Sequence, residues 1–260
     1  DFYLVHALDD ARWQKVLEFE IIPFLEQMKK EGKIRNLGFS FHDDYLVFEK
    51  ILLYRSWDFC QIQLNYMDTD IQAGLKGYQL AEKMGVPLVI MEPIKGGKLV
   101  NLSADIIETM QKQNPNRSVA SWALRYVASL PNVKVVLSGM STMSQVKDNL
   151  KVFDPFIPFN EEEQKMITDI AAKLRERVKN GCTGCEYCMP CPFGVNIPQN
   201  FKIWNEEAMY GDYAVSKELY VALKDAMASQ CKKCGKCETM CPQHIAIRKD
   251  LETIAAYFDK

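Results

Sequence analysis

The strongest constraint on this chain is a pair of cysteine runs near its C-terminal end. The first is Cys182-x2-Cys185-x2-Cys188-x2-Cys191-Pro192, and the second is Cys231-x2-Cys234-x2-Cys237-x3-Cys241-Pro242. They take up all but one of the nine cysteines. A disulfide framework scatters its cysteines through a small secreted domain, whereas tight Cys-x2-Cys spacing reads as a metal site in a reducing compartment. Three thiolates so spaced can wrap three corners of a cubane iron–sulfur cluster. Structural zinc is the competing reading. It takes four ligands, commonly as two separated Cys-x2-Cys knuckles, and two triple-cysteine runs ending in Cys-Pro fit that poorly. The remaining Cys60 stands alone in an apolar run and reads as an inert core thiol.

The runs resemble those of two-cluster ferredoxins, in which the fourth cysteine of each run ligates the other cluster. The resemblance implies one [4Fe–4S] cluster on Cys182, Cys185, Cys188 and Cys241, and a second on Cys231, Cys234, Cys237 and Cys191. The first run departs from the usual pattern by having two residues, not three, before its last cysteine. The link between the runs, Val195 to Gln230, is long and helix-prone, so the resemblance is to the α-helical kind of ferredoxin domain. Trp204, Tyr210, Tyr213 and Tyr220 are expected to pack around the clusters and exclude water. His244 reads as a solvated loop residue.

Upstream, to about residue 155, short apolar runs alternate with longer amphipathic ones. The short runs, Asp1–His6, Ile34–Phe39, Phe59–Leu64, Pro87–Met91 and Val133–Leu137, are nearly continuously apolar, as parallel strands covered on both faces must be. Between them the periodicity predicts helices over Trp13–Lys30, from an Asp43 cap to Tyr54, over Ile71–Met84, Ile106–Gln113 and Ser118–Leu130, and from a Ser144 cap to Phe153. The alternation predicts an α/β fold with a parallel sheet. Five strands do not close a (β/α)8 barrel. The opening DFYLVHALDD, apolar and without an initiator Met, is expected to mark a fragment lacking upstream units. Asn160 then caps a helix with the stripe Ile167, Ile170, Ala171, Leu174 and Val178, ended by Gly181. The expected organisation is a partial barrel over 1–158, a connecting helix over 159–181 and a two-cluster domain over 182–260.

The ordered set DFYLVH, GKIRNLGFS, DFCQIQLNYMD, GVPLVIMEPIKGGKL and LSGMSTMSQVKDNL resembles the second half of an aldo/keto reductase. With the cysteine runs, the chain is similar to the iron–sulfur-bearing branch of that family. The resemblance implies the last five strands of a (β/α)8 TIM barrel with its site at the C-terminal strand ends. It places His6 where the family's catalytic histidine polarises a substrate carbonyl. The family's catalytic Asp, Tyr and Lys belong to earlier strands, so this fragment alone is expected to be inactive. Ser40 and Gln61 match positions that hold the nicotinamide carboxamide. Phe41 stands where Asn is usual, and Met91 where many members stack a Tyr. Ile94 and Gly96, in the loop Pro93–Gly97, match the pyrophosphate loop. Ser138, Gly139, Gln145 and Asn149 match the adenosine end. Gln145 replaces a common Arg, which leaves NADP and NAD both open.

The implied function is an NAD(P)-linked oxidoreductase that moves electrons between nicotinamide, a carbonyl-type small molecule and two clusters. A flavin or a redox partner protein enters the expectation because a hydride carries two electrons and each cluster passes one. The alternative is a non-catalytic barrel scaffold with an electron-carrying or redox-sensing domain. A formal net charge of -2 with mixed signs gives no reason to expect nucleic acid or an anionic membrane. No apolar run spans a bilayer, and the expected location is cytoplasmic.

Overall fold

The computed structural model describes residues 1–260, in two compact units. The first comprises Asp1–Val100 and Thr109–Thr168, and the second Asn101–Glu108 and Asp169–Lys260.

The first unit is built on five parallel strands: β1 (Phe2–Leu8), β2 (Asn36–Phe41), β3 (Phe59–Gln63), β4 (Leu88–Met91) and β5 (Val133–Val136). Their spatial order is their chain order, as in the wall of a (β/α)8 barrel. The helices between them are α1 (Asp10–Glu18), α2 (Ile21–Lys30), α3 (Tyr45–Tyr54), α4 (Gly74–Lys83), α5 (Ala104–Gln113) and α6 (Val119–Ala128), with α7 (Met143–Phe153) following β5. The single helix expected over Trp13–Lys30 is broken in two at Glu20, which takes φ 52. Asp44, not Asp43, caps α3, and its carboxylate accepts from the Val47 N–H at 3.1 Å. Thr142, not Ser144, caps α7.

The period of two along β2 divides its side chains. Leu37, Phe39 and Phe41 are wholly buried. Phe39 and Phe41 pack on Phe48 of α3, with ring centroids 5.9 and 5.2 Å apart. Gly38 and Ser40 occupy the other face. A Cβ at Gly38 would stand 2.5 Å from the Phe59 carbonyl oxygen, so only glycine lets β3 approach there.

Helix α8 (Glu161–Glu176) begins with a reciprocal cap. Asn160 Oδ1 accepts from the Glu163 N–H at 2.8 Å, and Glu163 Oε2 accepts from the Asn160 N–H at 3.2 Å. Arg125, completely buried on α6, fastens this turn. It donates to both Glu163 oxygens at 2.9 and 2.7 Å and to the carbonyls of Ile157 and Pro158. Ile167, Ile170, Ala171 and Leu174 are buried as expected, whereas Val178 lies past the helix end and is exposed.

The second unit is helical apart from the cysteine runs. Helices α9 (Ile197–Tyr210) and α10 (Tyr213–Val221) occupy the link, α11 (Lys236–Met240) lies within the second run and α12 (Ile247–Phe258) follows it. Val195, Ile197, Phe201, Trp204, Tyr220 and Phe258 are among the side chains of its core. Arg177 ties the excursion at residues 101–108 into this unit through Ser103 at 2.6 Å and Asp105 at 2.7 Å.

Candidate functional site

In the first unit the matched residues form a row across the C-terminal strand ends. The β1–β2 register breaks between Val5 and Leu8, and Ala7 takes φ 53. Such a bulge re-aims neighbouring side chains, and His6 on it is exposed. The Ala7 N–H donates to Ser40 Oγ at 2.7 Å, so the buried Ser40 braces the bulge that carries His6. Ser40 lies opposite Gln61 in the β2–β3 register. Gln61 Nε2 donates to the Met91 thioether at 3.5 Å. A thioether is a weak acceptor, so this amide is only loosely committed. Phe41 belongs to the helix-facing layer and presents no polar group to the row.

A buried polar network beneath the loop after β4 escaped the sequence reading. Lys95 Nζ donates to both oxygens of Asp68 at 2.6 Å. Asp68 also accepts from Gln63 Nε2 at 3.1 Å and Asn65 Nδ2 at 3.0 Å. Asn65 donates in addition to the Glu92 carbonyl. The turn after β3 thus holds the loop that contains Ile94 and Gly96. Gly96 takes φ 61, the left-handed region glycine enters without strain. The signal available in the sequence was the run of polar residues, Gln63, Asn65 and Asp68, between apolar ones.

Ser138, Gly139, Gln145 and Asn149 gather where β5 leads into α7. Asn149 Nδ2 donates to Ser138 Oγ at 2.8 Å. Gln145 Oε1 accepts from the N–H groups of Ser141 at 2.7 Å and Thr142 at 3.1 Å, as half of a capping box. Its amide oxygen is therefore engaged at the helix start.

In the second unit Cys182, Cys185, Cys188 and Cys241 line one cavity, with Ile197, Phe201 and Ile247 among its apolar walls. Cysteines of both runs meet there. No three His, Cys, Asp or Glu side chains converge on a point suited to a single metal ion. Four sulfurs around one cavity fit a multi-iron cage, because the donors are soft thiolates. Cys191, Cys231 and Cys237 pack against the unit's core, and Cys234 is exposed. Burial, with Cys182, Cys237 and Cys185 nearby, pushes the Cys188 thiol up to about 11. Burial likewise raises Cys237, with Glu238, Cys231 and Cys234 adding to it. Ligation requires thiolates, so a bound cation must offset that cost. Burial also pushes the Cys60 thiol up, as an inert core thiol requires.

The approach to the first run is held by groups the sequence reading did not single out. Asn205 Oδ1 on α9 accepts from the N–H groups of Lys179 and Asn180. Asn180 Oδ1 accepts from the Cys182 N–H at 3.2 Å, and its amide donates to Asp250 on α12 at 3.0 Å. Of the aromatic residues, Trp204, Tyr210 and Tyr220 are buried, but Tyr213 is exposed and stacks on Phe258. His244 is exposed at φ 52.

A family model described as the aldo/keto reductase family matches residues 1–172, and one described as a 4Fe-4S dicluster domain matches residues 181–247. No curated protein matches the chain. Among solved structures, the chain is similar to the holo form of an aldo-keto reductase from Bacillus halodurans, at 23% identity and a TM-score of 0.53, over 65% of this chain and 60% of that one. It is also similar to an aldo-keto reductase from Klebsiella pneumoniae in complex with NADPH, at 22% identity and a TM-score of 0.52, over 66% and 58%. At these identities the likeness speaks for the fold. The chain spans about three fifths of the length of those structures.

Proposed function

The chain belongs to the aldo/keto reductase family and carries a 4Fe-4S dicluster domain, and from that premise we propose an NADP- or NAD-linked oxidoreductase that moves electrons between nicotinamide, a carbonyl-type substrate and two [4Fe–4S] clusters. The activity is assigned to the intact barrel, in a reducing, cytoplasmic setting. The observation that carries the proposal is the cavity formed by Cys182, Cys185, Cys188 and Cys241, on the same chain as the reductase fold. Cys231, Cys234, Cys237 and Cys191 make up the second set, in line with the crossed ligation of two-cluster ferredoxins. The clusters, when bound, supply one-electron transfer.

The chain's own residues fit the remaining roles. His6, exposed beside the bulge at Ala7, has an imidazole that can hydrogen-bond a substrate carbonyl and polarise it. Gln61 offers one donor and one acceptor, the complement of a carboxamide. Ser40 already accepts from the Ala7 N–H, which leaves its hydroxyl proton for a ligand. The Asp68–Lys95 pair holds in shape the Gly96 loop, the place the family resemblance gives to the pyrophosphate. The Klebsiella pneumoniae reductase, similar to this chain, is described with NADPH. Because a hydride moves two electrons together, coupling to one-electron clusters also calls for a flavin or a redox partner protein that splits the pair.

Anaerobic addition of NADPH or NADH to the full-length holoprotein, with and without flavin, tests the coupling. Bleaching of the cluster absorbance is expected. No bleaching under any of these conditions would sink it. A second reading, a barrel that serves as scaffold for an electron carrier or redox sensor, draws on Phe41 being turned into the helix layer and on the thioether at Met91. A full-length protein that binds neither NADPH nor NADH would favour it.

A further inference from the structure

The two cysteine runs repeat each other in backbone and differ systematically in charge. Left-handed residues fall at matched places: Gly184 and Lys233, Glu186 and Gly235, Gly194 and His244. Each Cys-Pro is followed six residues after its cysteine by a buried isoleucine that opens a helix, Ile197 for α9 and Ile247 for α12. With the runs so aligned, Lys232, Lys233, Lys236 and Arg248 stand where the first run has Thr183, Gly184, Tyr187 and Pro198. Residues 182–199 contain no Lys or Arg, while residues 231–249 contain five and only one acid, Glu238.

Lys232, Lys233 and Lys236 flank Cys234 in the chain, where the first run has the equally exposed Cys185. Cys234 is exposed, as are Lys232, Lys233 and Lys236. The Arg248 guanidinium lies over Gly235, 3.6 Å from where a Cβ would stand. Lys233 and Arg248 each have one acidic partner, Glu252 at 2.7 Å and Glu238 at 2.8 Å. If cations served to hold an anionic cluster, both runs would carry them. They therefore answer to something that approaches the second run alone.

We propose that the face around Cys234 is an electron port at which a small acidic one-electron carrier protein of the ferredoxin kind docks. The proposal rests on the reading that the runs hold [4Fe–4S] clusters. In the transfer, the partner's reduced centre loses one electron and the cluster on the second run gains it. No bond forms or breaks and no proton moves. Complementary charge speeds such an encounter and makes it fall with ionic strength.

The test uses full-length holoprotein of measured iron and sulfide content, mixed anaerobically in stopped flow with a pre-reduced acidic plant-type two-iron ferredoxin. Cluster reduction is expected to slow as salt rises. The double variant Lys232→Glu/Lys236→Glu is expected to slow it about tenfold or more at low salt and to flatten the salt dependence. Reduction by methyl viologen radical, which needs no docking, stays within about twofold of the parent. The control Lys147→Glu/Lys165→Glu changes net charge equally but lies in the other unit, and it is expected to match the parent. Parental rates in Lys232→Glu/Lys236→Glu would overturn the port alone. So would equal slowing in both double variants, or Lys232- and Lys236-dependent binding to phosphatidylglycerol vesicles without any to the ferredoxin. A preparation lacking iron and sulfide would overturn the port together with the cluster reading.

Discussion

The barrel unit and the cysteine unit arrange their chemical groups in opposite ways. In the cysteine unit the groups are close in sequence: three cysteines of each run lie within seven residues, and only Cys241 reaches the first run's cavity from far away. In the barrel unit His6, Ser40, Gln61 and Met91 come one from each of β1 to β4, and the sheet alone makes them neighbours. A site of the first kind depends on what it binds to become ordered. A site of the second kind depends on the core behind it. Damage should therefore appear as lost metal in one unit and as lost stability in the other.

The largest effect is expected in the cysteine unit. Cys241→Ser removes the fourth donor from the cavity of the first run. Crossed ligation requires it to deplete the cluster of Cys182, Cys185 and Cys188, leaving about half the iron. Mössbauer and EPR spectra of Cys241→Ser and Cys182→Ser should then show the same surviving cluster. Loss of different clusters in the two variants would break the crossing.

In the barrel unit the largest effect should come from Arg125→Ala, which leaves Glu163 buried without its bidentate partner, the remaining cation being Arg117 at 3.8 Å. The expected cost is about 3–5 kcal/mol in denaturant unfolding. The same pair sets an acid limit. Burial raises the Glu163 carboxyl, but the Arg125 hydrogen bonds, the Asn160 backbone contact and the charges of Arg125 and Arg117 outweigh it and hold it below its ordinary value of 4.5. A depressed folded value stabilises fully above the unfolded one and is lost as pH falls through it. Barrel-unit stability should therefore decline below pH 4.5. A decline of equal steepness in Glu163→Gln would contradict the assignment.

Asp68→Ala frees Lys95 and leaves the Gln63 donor and one of the two Asn65 amide hydrogens without an acceptor, for an expected loss of about 1–3 kcal/mol. It should also weaken NADPH binding if the loop after β4 serves the pyrophosphate; unchanged binding by fluorescence titration would remove that role. The smallest effect should be Thr142→Ala, which opens the capping box of α7 at a cost of about 1 kcal/mol.

The same contrast governs what was legible in the sequence. The strand runs were plain because strands that face a core need apolar stretches, and each of the five strands overlaps one, β1 and β2 running two residues past it. Cysteine spacing was plain because ligation is local. The break at Glu20 was not, since the helical periodicity continues across it. Nor was the Asp68–Lys95 network, whose members lie 27 residues apart and meet only through the sheet. Phe41 shows the difference within one strand: its place in the motif was visible, but the face it occupies follows from the pleat and from Phe48 on a helix still to come. Gln145, matched to a cofactor-binding position, lies three residues after the Thr142 cap, a capping-box spacing that was legible and passed over.

The most direct test is the iron and acid-labile sulfide content of anaerobically purified protein, read with its Mössbauer spectrum. Two [4Fe–4S] clusters require about eight iron and eight sulfide per chain, with cubane signatures. Zinc without iron or sulfide would contradict the cluster assignment, and with it the electron-transfer function.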